Sequence, residues 1–283
     1  MVKFNAVLLK PKGAFREIPH ASTLFGAIAN SVSLLYGDLA VYELKEAFMK
    51  GARISSAFPY MGDTYYLPKP LTLELIDFKE DPAQGKRLKR ASYLDLNNFE
   101  KALRLELDSL EVPNELPQVA VDIPRVVLDR VTQGSNLYFW KEIRFQEKGG
   151  IYFLYSGSEE VFEKYIKPAV RFLGDHGIGG KSTWGFGLFE PSFKYIRIKA
   201  PESPYAVTLS NALPTEKPVL WKLLKKGGWS FNNRKPKMTF ISEGSIIKGD
   251  PGRFEELDIG LPFRVYVYGL TFPIPTLLPE GLE

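Results

Sequence analysis

The chain has 283 residues, 45% of them hydrophobic and 25% charged, with a net charge of +4. It contains no cysteine and only two histidines, which excludes disulfide frameworks, thiolate metal sites and thiol catalysis. No apolar run reaches the roughly 18 residues a membrane helix needs, and the short start MVKFNAVLLK, stopped by Pro11, does not read as a signal peptide; a cytoplasmic protein with no membrane partner is expected.

Taken in chain order, MVKFNAVLLK reads as a strand with Phe4, Ala6 and Leu8 on one face. A helix follows, with Ser22 as its N-cap, Leu24, Phe25, Ile28, Val32 and Leu35 as its apolar stripe and Gly37 at its end. A second short helix covers VYELKEAFMKG. Residues 53–76 form a hairpin turning at Met61-Gly62-Asp63, and Pro68 and Pro70 confine its second arm to a sheet edge. Residues 77–118 form a polar insertion with one helix near 92–105. Strands at 121–132 and 136–147 flank a Gln133-Gly134-Ser135 turn, and GIYFLYS at 150–156 is another strand. A helix over 158–173 is kinked or split by Pro168.

Next comes GDHGIGGKSTWGFGLFE, with glycines at 174, 177, 179, 180, 185 and 187, running into a strand of about 186–199. Beyond it, strands are expected near 204–210, 237–248 and 263–272, with a helix at 217–226. Strand, helix, two strands, helix, strand is the ferredoxin-like order. The fold class is therefore α+β, with a ferredoxin-like (RRM-like) domain over 1–197 and a stretch, 198–283, that repeats the theme poorly. The insertion and the mid-chain glycine-rich loop, 174–187, belong to that domain.

The glycine segment admits three readings. It is a set of tight turns, a nucleotide phosphate loop, or a backbone nest for a polynucleotide. The phosphate-loop motif fails on spacing, because Gly174 and Gly180 are six apart where the motif needs five. In the nest, the amides around Gly177, Gly179 and Gly180 converge on a phosphate, Lys181 adds charge, Ser182 and Thr183 add donors, and Trp184 stacks on an unpaired base.

GIGGKSTWGFG resembles the glycine-rich loop of the RAMP superfamily, the RNA-binding proteins of CRISPR systems, through Gly177, Gly179, Ser182, Gly185 and Gly187. PHASTLFGAI, YLPKPL, RVVLDRVTQGSNLYF and LPTEKPVLWKLLKKGGWSF resemble segments of the fourth Csm subunit of type III-A effector complexes. The insertion resembles nothing comparable. The resemblance implies a non-catalytic, cofactor-free and metal-free subunit. It would anchor the 5′ repeat tag of a CRISPR RNA, dock on the Cas10-type large subunit and on a neighbouring backbone RAMP subunit, and meet target RNA indirectly. It also implies two ferredoxin-like (RRM-like) domains, the second a degenerate one over 198–283, and a thumb-like hairpin that kinks the guide–target duplex. The insertion sequence QGKRLKR is assigned to or beside that thumb, with Tyr65, Tyr66 or Leu88 as its apolar wedge.

The remaining candidates divide by chemistry. His20 and Ser22 lie at the first helix, His20 as an RNA contact or, as in RNA-processing members of the superfamily, as a general base for metal-independent cleavage. His176 reads as a helix C-cap. Arg125 or Arg130, near Thr132, contacts tag phosphates, unless Arg125 is spent on an ion pair with Asp129. Lys69, rigid between two prolines, is solvated or bound to phosphate. Over 214–240 the basic residues, Lys217 and Arg234 among them, stand against the single acid Glu216 with Trp221 and Trp229 interleaved, which is the footprint of single-strand binding; Lys217 and Arg234 are expected on RNA, while Trp221, Leu223 and Leu224 pack inward. The acids Glu243, Asp250, Glu255, Glu256 and Asp258 lack metal-ligand spacing. A scaffold, a His20 ribonuclease and a protein adaptor with a vestigial groove remain the alternatives.

Overall fold

The computed structural model describes residues 1–76, 82–113, 115–230 and 232–282; the start of the expected insertion, 77–81, lies outside these. The main sheet begins with β1 (Val2–Pro11), whose alternation sends Val7 and Leu9 to one face and Phe4, Ala6 and Leu8 to the other. Then come α1 (Ala21–Tyr36), α2 (Asp38–Met49), β2 (Arg53–Ile54), β3 (Phe58–Met61) and β4 (Thr64–Pro68). The insertion adds α3 (Pro82–Arg90), β5 (Tyr93–Asp95) and α4 (Leu96–Leu103). A ribbon of β6 (Gln118–Leu128) and β7 (Ser135–Phe145) leads to β8 (Gly149–Ser156).

The second helical stretch runs as α5 (Glu159–Val161), a π turn (Phe162–Ile166) and α6 (Lys167–His176). Pro168 lacks an N–H to donate, and the widened turn lies immediately before it. After the glycine loop, β9 (Phe189–Ile198) completes the sheet. The order is β5-β4-β3-β8-β1-β9, with β9, β1, β8 and β3 antiparallel throughout, which is the strand order of a ferredoxin-like unit. Pro68 and Pro70 do not leave β4 at an edge, because β5 from the insertion pairs with it through Leu67 and Leu94.

Each face of the sheet carries a core. On one, Leu24, Phe25, Ile28 and Val32 of α1 and Ala169, Val170 and Leu173 of α6 cover Val7, Phe153 and Tyr155. On the other, Phe99, Ala102 and Leu103 of the insertion meet Leu8, Tyr152 and Leu154. So do Val207, Leu209, Ile246 and Phe272 from the chain after 198. Each fully buried Leu or Phe contributes about 1.5–3 kcal/mol, so neither the insertion nor the C-terminal stretch is an appendage.

That C-terminal stretch contains β10 (Tyr205–Thr208), β11 (Leu223–Ser230), β12 (Asn233–Ile241), β13 (Ile246–Lys248), β14 (Glu255–Leu257), β15 (Val265–Val267) and β16 (Pro273–Pro275). They form one three-stranded sheet, β13-β10-β16, and two hairpins. The helix expected at 217–226 is not formed. Residues 223–230 pair with β12 instead, because the stretch ends in Gly227-Gly228-Trp229 and finds a matching alternation in Leu224↔Phe240 and Lys226↔Met238. No helix among the described residues is long and apolar enough to cross a membrane.

Lys69 overturns a second expectation. It is only 6% exposed, and its Nζ donates to the carbonyls of Leu88 and Lys89 at 2.9 Å each, with Glu74 at 3.5 Å. Burial lowers its pKa, against the pull of Glu74. The flanking prolines point this cation into the molecule, where it holds the end of α3, and it is not available to RNA. Lys69→Met is expected to cost about 2 kcal/mol of stability, since the bonds to a charged donor are lost and two carbonyls are stranded, with RNA affinity unchanged in a binding titration.

Candidate nucleic-acid interface

The glycine loop is built by a close crossing of the chain over itself. Ile178 N–H donates to Gly187 O at 3.0 Å, and Gly187 N–H donates to Ala14 O at 3.0 Å. A Cβ on Gly187 would press into the Ile178 carbonyl oxygen, and one on Gly177 would lie 2.6 Å from Phe186 O. Both glycines have positive φ, +73° and +83°. Ile178 and Phe186 are buried beneath the crossing. Above it, Lys181 takes a left-handed conformation, φ 68°, uncommon for a residue with a side chain, and Ser182–Trp184 form one 3₁₀ turn.

This arrangement divides the amides. Those of Gly177, Ile178, Trp184, Gly185 and Gly187 bond within the fold. Those of Gly179, Gly180, Lys181, Ser182 and Thr183 make no main-chain bond, and Gly179 and Gly180 have open space where a Cβ would stand. The ring of Trp184 is 58% exposed and stacks on Trp140 of β7, with centroids 5.5 Å apart and planes within 6°. The Arg16 guanidinium lies 3.9 Å over Trp140, and Lys181 Nζ lies 4.8 Å over Trp184. Two indoles and two cations thus form one wall beside the free amides. Trp184 and Lys181 are legible in the sequence as site residues, whereas Trp140 and Arg16 are not. A tryptophan inside a strand has no local mark that distinguishes a core ring from a stacking partner 44 residues away.

Trp140 also anchors the base of the β6–β7 ribbon, together with reciprocal bonds between Phe15 and Ile143. Beyond that base, residues 124–139 are all exposed, including Val126, Val127, Leu128, Val131, Leu137 and Phe139. Arg125 stands opposite Tyr138 on this arm, and Arg130 is at its tip. Asp129 makes no ion pair with Arg125. Its carboxylate accepts from the N–H groups of Val131 and Thr132, which lowers its pKa, and Thr132 Oγ1 accepts from Gly134 N–H. The arm, not the insertion, is the projecting hairpin. Leu88 is fully buried and Tyr66 nearly so, because α3 folds onto the second core, so neither serves as an exposed wedge.

His20, not Ser22, is the N-cap of α1. The first helical N–H groups are satisfied from outside the helix: Ala21 N–H donates to Ser56 Oγ and Ser22 N–H to Asn211 Oδ1, while Asn211 donates back to Ser22 Oγ. Ser22 is therefore part of the joint with the C-terminal stretch. His20 Nδ1 lies 2.7 Å from Glu243 Oε1, which also accepts from Ser56 Oγ. Burial would raise the Glu243 carboxyl, but the bonds from His20 and Ser56 outweigh it and hold its pKa below the usual carboxylate value. His176 Nδ1 approaches Phe172 O at 2.8 Å, a local contact within its own helix.

Lys217 and Arg234 belong to the C-terminal stretch and not to the wall of the glycine loop. Lys217 Nζ lies 5.8 Å from the Trp221 ring, and Arg234 is exposed on β12. Trp221 and Leu223 do not pack inward but are exposed. The five acids flagged in sequence are dispersed, each on its own partner: Glu243 on His20, Asp250 on Arg53, Glu255 on Arg253, Glu256 on Lys45 and Asp258 on Arg264.

Residues 18–190 match the model of the RAMP superfamily. The chain is 64% identical, over the whole of both chains, to the CRISPR system protein Csm4 of Thermococcus onnurineus. It is 27% identical to Csm4 of Streptococcus thermophilus, over 80% of this chain and 79% of that one. Among solved structures it is similar to a Csm1–Csm4 cassette in complex with pppApA, with 55% identity, 99% and 100% coverage and a TM-score of 0.84. A Csm3–Csm4 subcomplex shares the fold at 20% identity, with 96% and 99% coverage and a TM-score of 0.70.

The His20–Glu243–Ser56 joint has a pH signature. The depressed carboxyl pKa of Glu243 stabilises the fold at neutral pH, and that contribution is lost as pH falls through a folded-state value below the ordinary glutamate range. Glu243→Gln is expected to cost about 2 kcal/mol at pH 7. Thermal melts of wild type and variant should converge in acid.

Proposed function

The chain belongs to the RAMP superfamily and, within it, to the Csm4 subunits of CRISPR Csm complexes, and on that premise we propose that it anchors the 5′ repeat tag of a CRISPR RNA by binding alone. The observation that carries this reading is the run of unbonded amides from Gly179 to Thr183 beside Lys181 and the exposed ring of Trp184. The unpartnered N–H groups, with bare backbone at Gly179 and Gly180, hold a phosphate, Lys181 neutralises it, and the indole receives an unpaired base. His20, held by Glu243, is a further RNA contact.

The subunit docks on the Cas10-type large subunit, a reading supported by the likeness to Csm1–Csm4 cassettes at 55% identity. It stands next to a backbone RAMP subunit, acts in the cytoplasm and meets target RNA only through the guide. The β6–β7 arm is its thumb: the exposed side chains of Val126, Val127, Leu128, Val131, Leu137 and Phe139 are the wedge that parts the guide–target duplex, with Arg125, Arg130 and Thr132 on phosphates. Residues 198–283 are a degenerate second ferredoxin-like domain that keeps strands and covers the first domain's sheet.

A second reading, metal-independent cleavage of repeat RNA, has one observation in its favour. Glu243 fixes the imidazole through Nδ1, as an orienting carboxylate does for a general base. Incubation with repeat RNA in EDTA separates the two: intact, bound RNA supports anchoring, and a product lost in His20→Ala supports cleavage.

In a titration with tag RNA, Trp184→Ala should weaken binding by about 1–3 kcal/mol. Lys181→Ala should weaken it and reduce the salt slope by about one. Gly187→Ala should unfold the loop and abolish binding, whereas Gly180→Ala should fold normally. Unchanged affinity in Trp184→Ala and Lys181→Ala would place the RNA elsewhere.

A further inference from the structure

The β11–β12 hairpin is not used by the reading above. Its two faces differ. Leu224, Lys226, Ser230, Asn233, Lys235 and Met238 turn toward the body, and Lys226 lies 3.7 Å from Glu17. Burial lowers the pKa of both Lys226 and Lys235. Glu17 follows Arg16, whose guanidinium covers Trp140, so the hairpin is tied to the wall of the glycine loop.

The outer face is a different surface. Leu223, Lys225, Gly227 and Trp229 are exposed on β11, and Arg234, Lys237 and Thr239 on β12. Trp229 stands directly opposite Arg234, and Lys225 opposite Thr239. A bulge between Lys226 and Gly228 leaves two bare glycines next to the indole. Trp229 is 66% exposed and has no ring partner among the described residues. From Lys217 to Ser242 the sequence contains no acid at all.

An isolated exposed indole, flanked by cations and bare backbone, has the composition of a single-strand platform. A protein-docking surface would instead join its apolar residues into one patch. Duplex RNA is a poor fit, because the stacking faces of its bases are already covered.

We propose that this outer face binds an unpaired segment of the RNA strand held by the glycine loop, with a base stacked on Trp229 and phosphates on Lys225, Arg234 and Lys237. The proposal rests on the RNA-anchoring reading and adds a second point of attachment to it.

The test uses the full chain and single-stranded RNAs sharing one 5′ end, of about 4 and about 16 nucleotides, the span of site sizes for such platforms. Binding is followed by fluorescence anisotropy. Trp229→Ala should weaken binding of the long RNA roughly tenfold and leave the short one unchanged. Trp229→Phe should restore most of the loss. Arg234→Ala should lower the salt slope for the long RNA by about one. The side chains are exposed, so melting temperatures should not move, and a variant that melts early is replaced by Trp229→Phe/Arg234→Gln. Equal affinity of wild type and Trp229→Ala for the long RNA overturns the proposal and leaves the face to a protein partner. Equal loss on both lengths overturns it too, since no second site would then exist. If wild type binds neither RNA, the anchoring reading fails and the proposal with it.

Discussion

The interface depends on one crossing of the chain. Where Ile178 passes Gly187, the two backbones come so close that no side chain fits at 187, and the N–H of each is spent on the crossing or on Ala14. The closure uses the amides of Ile178 and Gly187, and the short 3₁₀ turn uses those of Trp184 and Gly185, so the run from Gly179 to Thr183 is left without main-chain partners. The strain of Lys181 in a left-handed conformation is kept at the same place. Unsatisfied backbone donors at a surface are ordinary when water can reach them. Here they lie in one short run, walled by two stacked indoles and two cations, and that arrangement is what makes the loop a receptor rather than a turn.

The rest of the molecule holds that wall in place. Trp140 belongs simultaneously to the stack and to the root of the projecting arm, so the arm cannot swing without disturbing Trp184. Behind the sheet, the insertion and the chain after 198 share one core with Phe4, Leu8 and Tyr152. In front, the start of α1 is capped from outside by Ser56, and by Asn211 of the later stretch, while His20 reaches Glu243. The two halves of the chain are therefore joined by apolar burial on one side and by directional bonds on the other.

Where local pattern decides structure, the sequence could be read well. The alternation of β1, the stripe of α1, the continuous apolar run of β8 and the split at Pro168 all follow from period and proline chemistry, and the sheet order follows from their succession. Where tertiary pairing decides, it could not. Residues 223–230 contain leucines and lysines at helix-compatible spacing, and only the presence of β12 selects the strand. Lys69 reads as an exposed cation until α3 supplies carbonyls for it. The β6–β7 hairpin was visible as two strands and a turn, but its projection was not, because a ribbon lying on a body and one leaving it share the same alternation. Of the glycine-loop site, Lys181 and Trp184 are legible, while Trp140 and Arg16 enter from distant segments and carry no local signal.

The most direct test of the central claim is amide NMR of the ¹⁵N-labelled chain titrated with tag RNA. The amide resonances of Gly179, Gly180, Lys181, Ser182 and Thr183 should shift together and saturate with the RNA, as new acceptors reach them, while those of Ile178 and Gly187 stay close to their free positions. RNA that binds to saturation and leaves those five amides unmoved would contradict the account.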